Sequence, residues 1–286
     1  PKDILKKITK KTKAIIAVHM YGGVCNLLEL KKICKNNGLF LIEDCAESMV
    51  AKDENNLITG SVGDISCWSF QSAKQLTCGD GGILTTNDEI LGKKLRKYSN
   101  LGFRVLNAKS NKIVVSKDER QNPNYKRFDE IGFNYRMNEF TAAIALAQCE
   151  RVNFFVKKRR KAALSLTKVI KNSKFLIPQK ISKKTYSTYY TLAVRFVRKN
   201  KMKLTWSQFR KKFMEYGGDG IYAASRLIHQ EPVIKKNKIG KKSNKTPVAK
   251  RLQKELLLFT TNQSNQKEIN IQTKAFKKVI DFYKLN

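Results

Sequence analysis

An α/β layer fold is the architecture this sequence predicts, on three observations. Short continuous apolar runs recur along the first half, as buried parallel strands require. Segments with helical spacing and capping residues separate those runs. Aspartate, serine and lysine stand where the runs end, which is where open α/β sheets collect ligands. A chain of 286 residues has room for about two domains.

The elements follow in order. AIIAVH (14–19) reads as the first strand. Asn26 caps a helix to about Asn37, in which Leu27, Leu28, Leu30 and Ile33 have helical spacing, and Gly38 suits the position after its end. LFLIE (39–43), ISCWSF (65–70) and GILTT (82–86) are three further strands, and Asn87 or Asp88 caps a helix to about Tyr98. Residues 104–130 have little periodicity and much charge, as a functional loop or insertion does. From Met137 to Ile170 one helical stretch runs without Pro or Gly, and its small, apolar first half is expected to be buried. The boundary falls there, giving a large domain over 1–160 and a smaller α/β domain over 161–286. In the latter, YYTLAVRF (189–196) is a strand, LTWSQFRKKFMEYG (204–217) a helix, GGDGIY a tight turn and TKAFKKVIDFYKL a terminal helix.

Composition narrows the function classes. The net charge is +35, carried by 45 lysines and only thirteen arginines. Nucleic-acid faces draw on arginine, whose planar fork reads phosphate and guanine edges. Lysine spread over the whole chain reads instead as a compositional bias of the surface that favours anionic ligands such as nucleotides, and no nucleic-acid partner is expected. Six cysteines without a CxxC pair, and two histidines, predict neither a disulfide framework nor a metal site. The cysteines fit small apolar positions in a reducing, cytoplasmic setting. No apolar run approaches membrane-span length.

The stretch SCWSFQSAKQLTCGDGG (66–82) holds the chemistry. Lys74 follows a strand that ends at Ser69, and Asp44 follows LFLIE. An amine, a carboxylate and a hydroxyl converging at strand ends suit pyridoxal phosphate (PLP): lysine attaches it, an acid keeps its ring nitrogen protonated, and a hydroxyl with backbone N–H groups holds its phosphate. Taken alone, each residue also has a plain reading. Lys74 is one lysine among many in a solvated turn, Asp44 a helix or turn cap, and Ser69 a polar strand end.

Three blocks shift that balance: VHMYGGVCNLLELKKICKNNGLFLIEDCAESMVA, GSVGDISCWSFQSAKQLTCGDGGILTTND and IGFNYRMNEFTAAIALAQ. In order and spacing they resemble the DegT/DnrJ/EryC1/StrS family of PLP-dependent sugar aminotransferases, over about residues 10–160 and more weakly beyond. The resemblance implies fold type I, with a mostly parallel mixed sheet in the large domain. It makes Lys74 the Schiff-base lysine, Asp44 the partner of the pyridine nitrogen, Glu47 a neighbour of the ring's phenolic oxygen and Ser69 a phosphate ligand. Asn134 matches an asparagine that reaches the phosphate from a second subunit, which implies a homodimer with shared sites. His229 falls near a substrate-facing segment of the family, and a hydrogen-bonded structural histidine is an equal reading. Arg136 suits either a substrate anion or a structural ion pair. Gly79, Gly81 and Gly82 read as turn and close-packing residues, and Tyr21 and Trp68 as core aromatics.

The sequence also departs from the family. Its opening, PKDILKKITKKTKAIIAVHMYG, resembles the middle of the large domain. A Gly-Thr phosphate-binding turn, an aromatic that stacks on the cofactor and the first strands have no counterpart. The expectation is a large domain lacking its N-terminal part, with an incomplete phosphate cup and an exposed sheet edge. The implied activity is amino transfer to a nucleotide-linked keto-sugar, with glutamate as donor, in amino-sugar synthesis for surface polysaccharide or glycoconjugate. Alternatives are a sugar dehydratase, in which histidine would replace Lys74, and a non-catalytic or regulatory protein on the same scaffold.

Overall fold

Short apolar strands and capped helices alternate through the first half of the protein. The structure is a computed structural model and describes residues 1–104, 115–171, 173–197, 204–237 and 246–284. The chain divides into two units, Pro1–Asn153 with Lys184–Tyr186, and Phe154–Lys183 with Ser187–Asn286.

In the first unit, α1 (Lys2–Leu5) precedes β1 (Ala14–Val18), α2 (Leu27–Asn36), β2 (Phe40–Asp44), β3 (Ile65–Ser69), β4 (Gly82–Thr85), α3 (Glu89–Ser99), α4 (Lys117–Gln121) and α5 (Glu139–Glu150). The caps form as the sequence predicts. Asn26 accepts the N–H of Glu29, Asp88 accepts those of Ile90 and Leu91, and Gly38 closes α2 at φ +62°. The strands lie in the order β1-β2-β3-β4, the first three parallel and β4 antiparallel to β3.

Alternation gives this sheet two unlike faces. Ala17 and Leu41 pack with Leu30 and Cys34 of α2 on one of them. The other carries Ile16, Val18, Phe40 and Leu84, all exposed, and Ile16 is 63% accessible. Asp44 stands on this open face, opposite Cys67 in the register and two residues short of Ser69 along the neighbouring strand.

Two readings of the sequence need correction. Residues 137–170 form two helices, α5 and α6 (Val152–Val169), with non-helical backbone at Arg151 (φ −102°, ψ 9°). Nor is α5 buried. Ala145 is its one buried residue, and Phe140 is 87% exposed. Its apolar side chains are spread around the helix rather than gathered in a stripe, so the sequence marks no single face for burial. The long charged loop over 104–130 contains the short helix α4, which Ser116 caps; its residues 105–114 lie outside the described residues.

The second unit contains most of α6, then β5 (Leu176–Pro178), β6 (Thr191–Phe196), α7 (Trp206–Glu215), β7 (Ile221–Ala223), α8 (Pro232–Lys236), α9 (Pro247–Glu255), β8 (Leu256–Thr260) and α10 (Gln266–Tyr283). The sheet is antiparallel, in the order β5-β6-β8-β7. A complete capping box, Thr205 with Gln208, starts α7. Phe209, Phe213, Phe259 and Phe276 are fully buried and meet at ring centroid distances of 4.6–6.5 Å. The GGDGIY turn requires its glycines, because Gly217 and Gly220 sit at φ +82° and +63°. Among the described residues no helix is long and apolar enough to cross a membrane.

Candidate active site

The carboxyl end of β2 sends two neighbouring acids to opposite faces. Glu43 points inward and is fully buried, and its carboxylate accepts the N–H groups of Gly60, Val62 and Gly63 and faces His19 Nε2 at 3.0 Å. Burial alone would raise the carboxyl; the bonds from His19 and the three backbone donors outweigh it and hold Glu43 below the usual carboxylate range. Asp44 points to the open face. Its Oδ1 accepts the Ala46 N–H at 3.0 Å, so the plain capping role is real. Its Oδ2 has no hydrogen-bond donor among the described residues.

Beyond the strand, Glu47 stands between two donors. Tyr21 N–H donates to its Oε2 at 3.0 Å, and Lys74 Nζ lies 3.5 Å from its Oε1. Both side chains of the Lys74–Glu47 pair are one-fifth exposed, sheltered enough to matter and open enough for a ligand to enter. Lys74 sits in the turn after β3, where its N–H donates to Gln71 O. Ser69 Oγ accepts the Gln71 N–H at 3.3 Å, which leaves its hydroxyl proton to be donated elsewhere.

The structure thus brings Lys74 and Glu47 into contact and sets Asp44 and Ser69 at the ends of adjacent strands. Asn134 and Arg136 form a separate pair on an exposed segment, where Arg136 Nε donates to Asn134 Oδ1 at 3.1 Å. That segment leads to Met137, whose Cε would lie 2.7 Å from a Cβ on Gly81. A side chain at Gly81 would meet the flexible ends of Met137 and Cys78, which can move aside. His229 lies in the second unit, half-buried, and its Nε2 has no hydrogen-bond partner among the described residues. Tyr21 and Trp68 are half-buried rather than core residues. Tyr21 adopts φ +60° in a tight turn, and the Trp68 indole closely approaches Gly60, where a Cβ would come within 2.1 Å of it.

His19, Glu43 and Cys45 are fully buried, with one potential ligand atom of each within 4.8 Å of the others. The donor set does not suit a metal, because the Glu43 oxygens and both His19 nitrogens are engaged in hydrogen bonds. Burial pushes the Cys45 thiol up, away from the thiolate a metal would need. The sequence reading missed this cluster, and the signal for it was a charged Glu43 inside an otherwise apolar strand.

A carboxylate on an open sheet face, an amine beside a second carboxylate and a strand-end hydroxyl define a site able to hold an aldehyde-bearing cofactor and move protons at it. The chain belongs to the DegT/DnrJ/EryC1/StrS aminotransferase family, whose match covers residues 1–272. It is 37% identical over 194 residues to a GDP-perosamine synthase of Escherichia coli O157:H7, covering 67% of this chain and 47% of the relative. This chain thus spans about half the length of that relative. Among solved structures, an aminotransferase from Psychrobacter cryohalolentis matches with a TM-score of 0.83 at 25% identity, over 100% of this chain and 72% of its own. The GDP-4-keto-6-deoxy-D-mannose-3-dehydratase of E coli, solved with hydrated PLP, shares the fold with a TM-score of 0.77 at 23% identity, over 96% of this chain and 70% of its own. These neighbours place the chain in PLP fold type I.

Proposed function

We propose that the protein is a PLP-dependent aminotransferase that passes an amino group, with glutamate as donor, to a nucleotide-linked keto-sugar. The observation that carries this reading is the Lys74–Glu47 contact at the ligand-collecting end of a sheet whose Asp44 faces the open side, in a member of an aminotransferase family. The residues present fit the cofactor. Lys74 Nζ is the amine that attaches it, Asp44 offers Oδ2 to a protonated ring nitrogen, and the Ser69 hydroxyl donates to the phosphate. When bound, PLP supplies an electron sink that eases removal of a proton from carbon. Lys74 Nζ is also the base that takes the donor's Cα proton, and Glu47 keeps that amine directed into the site. Asn134, contributed across a homodimer, and Arg136 and His229 are assigned to phosphate and substrate. The keto-sugar assignment draws on relatives such as the GDP-perosamine synthase. A cytoplasmic location suits a nucleotide-sugar substrate.

The dehydratase reading shares this fold, but Lys74 stands where that chemistry calls for histidine. Borohydride treatment of the intact, PLP-loaded protein separates the readings. The expected result is one labelled peptide containing Lys74, together with amino transfer from glutamate to a keto-sugar nucleotide. Labelling at any other residue would overturn the assignment of Lys74.

A further inference from the structure

The segment between β1 and α2 is fastened to the end of β2 at several points. His19 N–H donates to Asp44 O at 3.0 Å. His19 Nε2 meets Glu43 Oε2 at 3.0 Å, and both side chains are fully buried. Cys25 N–H donates to His19 Nδ1 at 3.1 Å, which closes the segment on itself. Between those points Tyr21 is held at φ +60°, ψ 22°, a region that a bulky residue keeps only when its surroundings impose it. In that conformation its N–H reaches Glu47 Oε2, and Glu47 Oε1 faces Lys74 Nζ.

The ring geometry defines how the fastening works. Burial disfavours a charged imidazole, and the neighbouring Cys25, Cys45 and Glu43 side chains outweigh it and push the ring up to about 11; the backbone geometry at Nδ1 is nevertheless that of an acceptor, and it is the neutral ring that fits it. The Cys25 N–H aimed at Nδ1 requires a lone pair there, so the ring proton is on Nε2, directed at Glu43. Glu43 in turn is anchored by Gly60, Val62 and Gly63. The His19–Glu43 bond is therefore tied to a fixed point, whereas the Cys25 contact only joins the segment to itself.

We propose that His19 is a positioning residue: its bond to Glu43 holds the turn that puts the Tyr21 N–H on Glu47, and so sets Glu47 against Lys74. This rests on the reading of Lys74 and Glu47 as cofactor neighbours, and the test keeps the two apart. His19→Gln retains a donor at the reach of Nε2 and gives up the Cys25 contact. His19→Asn retains an acceptor near Nδ1 and gives up Glu43. Glu47→Gln serves as the reference.

Amide hydrogen exchange at Tyr21 in the intact protein without PLP reads the turn directly. His19→Asn should speed it by about tenfold, the scale of losing one ordinary hydrogen bond, and His19→Gln should leave it near wild type. The visible absorption of the PLP-loaded proteins reads the consequence: His19→Asn should reproduce the spectrum of Glu47→Gln, and His19→Gln that of the wild type. Unchanged Tyr21 exchange in His19→Asn overturns the proposal whether or not PLP binds. So does faster exchange with a wild-type spectrum when Glu47→Gln shifts it, because His19 would then be only structural. If His19→Asn does not fold, His19→Gln carries the test alone, and a Glu47→Gln-like spectrum in it overturns the proposal. Failure of the wild type to take up PLP sinks the functional reading, and is told apart because Tyr21 exchange needs no cofactor.

Discussion

The two units hold their shape in opposite ways. The second closes its antiparallel sheet under helices, and four phenylalanines fill the centre with no exposed ring among them. The first covers one face of its sheet with α2 and leaves Ile16, Val18, Phe40 and Leu84 exposed on the other. The proposed chemistry stands on the unit whose sheet is open. Packing fixes the second unit, where burial of aromatic area supplies the stabilisation. Around the site, buried hydrogen bonds replace packing. Glu43 gathers three backbone donors and His19, and Glu47 takes Tyr21. A site that must admit a ligand cannot be filled with side chains, so its geometry is held by directed bonds.

Matched substitutions can break that contrast. The largest effect belongs to Phe276→Ala in the aromatic cluster, which should cost about 3–5 kcal/mol by denaturant unfolding. Next, Asp44→Asn should remove about 3 kcal/mol of transition-state stabilisation, read as kcat, with the melting temperature near wild type. Turnover near normal would leave Asp44 with only its Ala46 cap.

Glu43→Gln should cost about 1–3 kcal/mol at neutral pH, because backbone donors would lose a charged acceptor. It should also change the acid limb of stability. The folded Glu43 carboxyl lies below its ordinary value of 4.5, so the wild type's extra stability is complete above that pH and is lost as pH falls through the lower folded value. The glutamine variant should show a flatter curve in that window. The smallest effect is expected for Phe140→Ser on α5, within about 0.5 kcal/mol in this chain, since the ring is exposed. A large loss there would show that α5 is covered in solution.

Strands whose apolar runs end in turn residues are legible in the sequence, as are the caps Asn26 and Asp88. So are the positions of Asp44 and Ser69 at strand ends, with Lys74 in the turn beyond, whereas their grouping as one site comes from the family resemblance. Three kinds of feature are not legible. β8 follows α9 at Leu256 with no glycine or proline between, so nothing local marks the change of period. The break at Arg151 likewise has no local breaker. The His19–Glu43 and Tyr21–Glu47 bonds each join residues more than twenty apart, and a backbone N–H at positive φ leaves no trace in composition. At α5 the sequence misleads in the other direction, since its apolar content suggests burial although no stripe is present.

Trp68 and Trp206 are the protein's two tryptophans, one in each unit. Trp68 rests on Gly60, whose N–H is bound by Glu43, and Trp206 opens α7 beside Arg210, whose guanidinium lies 5.9 Å from its ring centroid. The molecule therefore carries its own pair of optical probes. With Trp206 changed to Phe, the remaining fluorescence comes from Trp68 on β3, against the loop that Glu43 fastens; with Trp68 changed to Phe, it comes from the edge of the aromatic core. Emission followed through a denaturant titration of the two single-tryptophan proteins would report separately on a region held by polar bonds and a region held by packing.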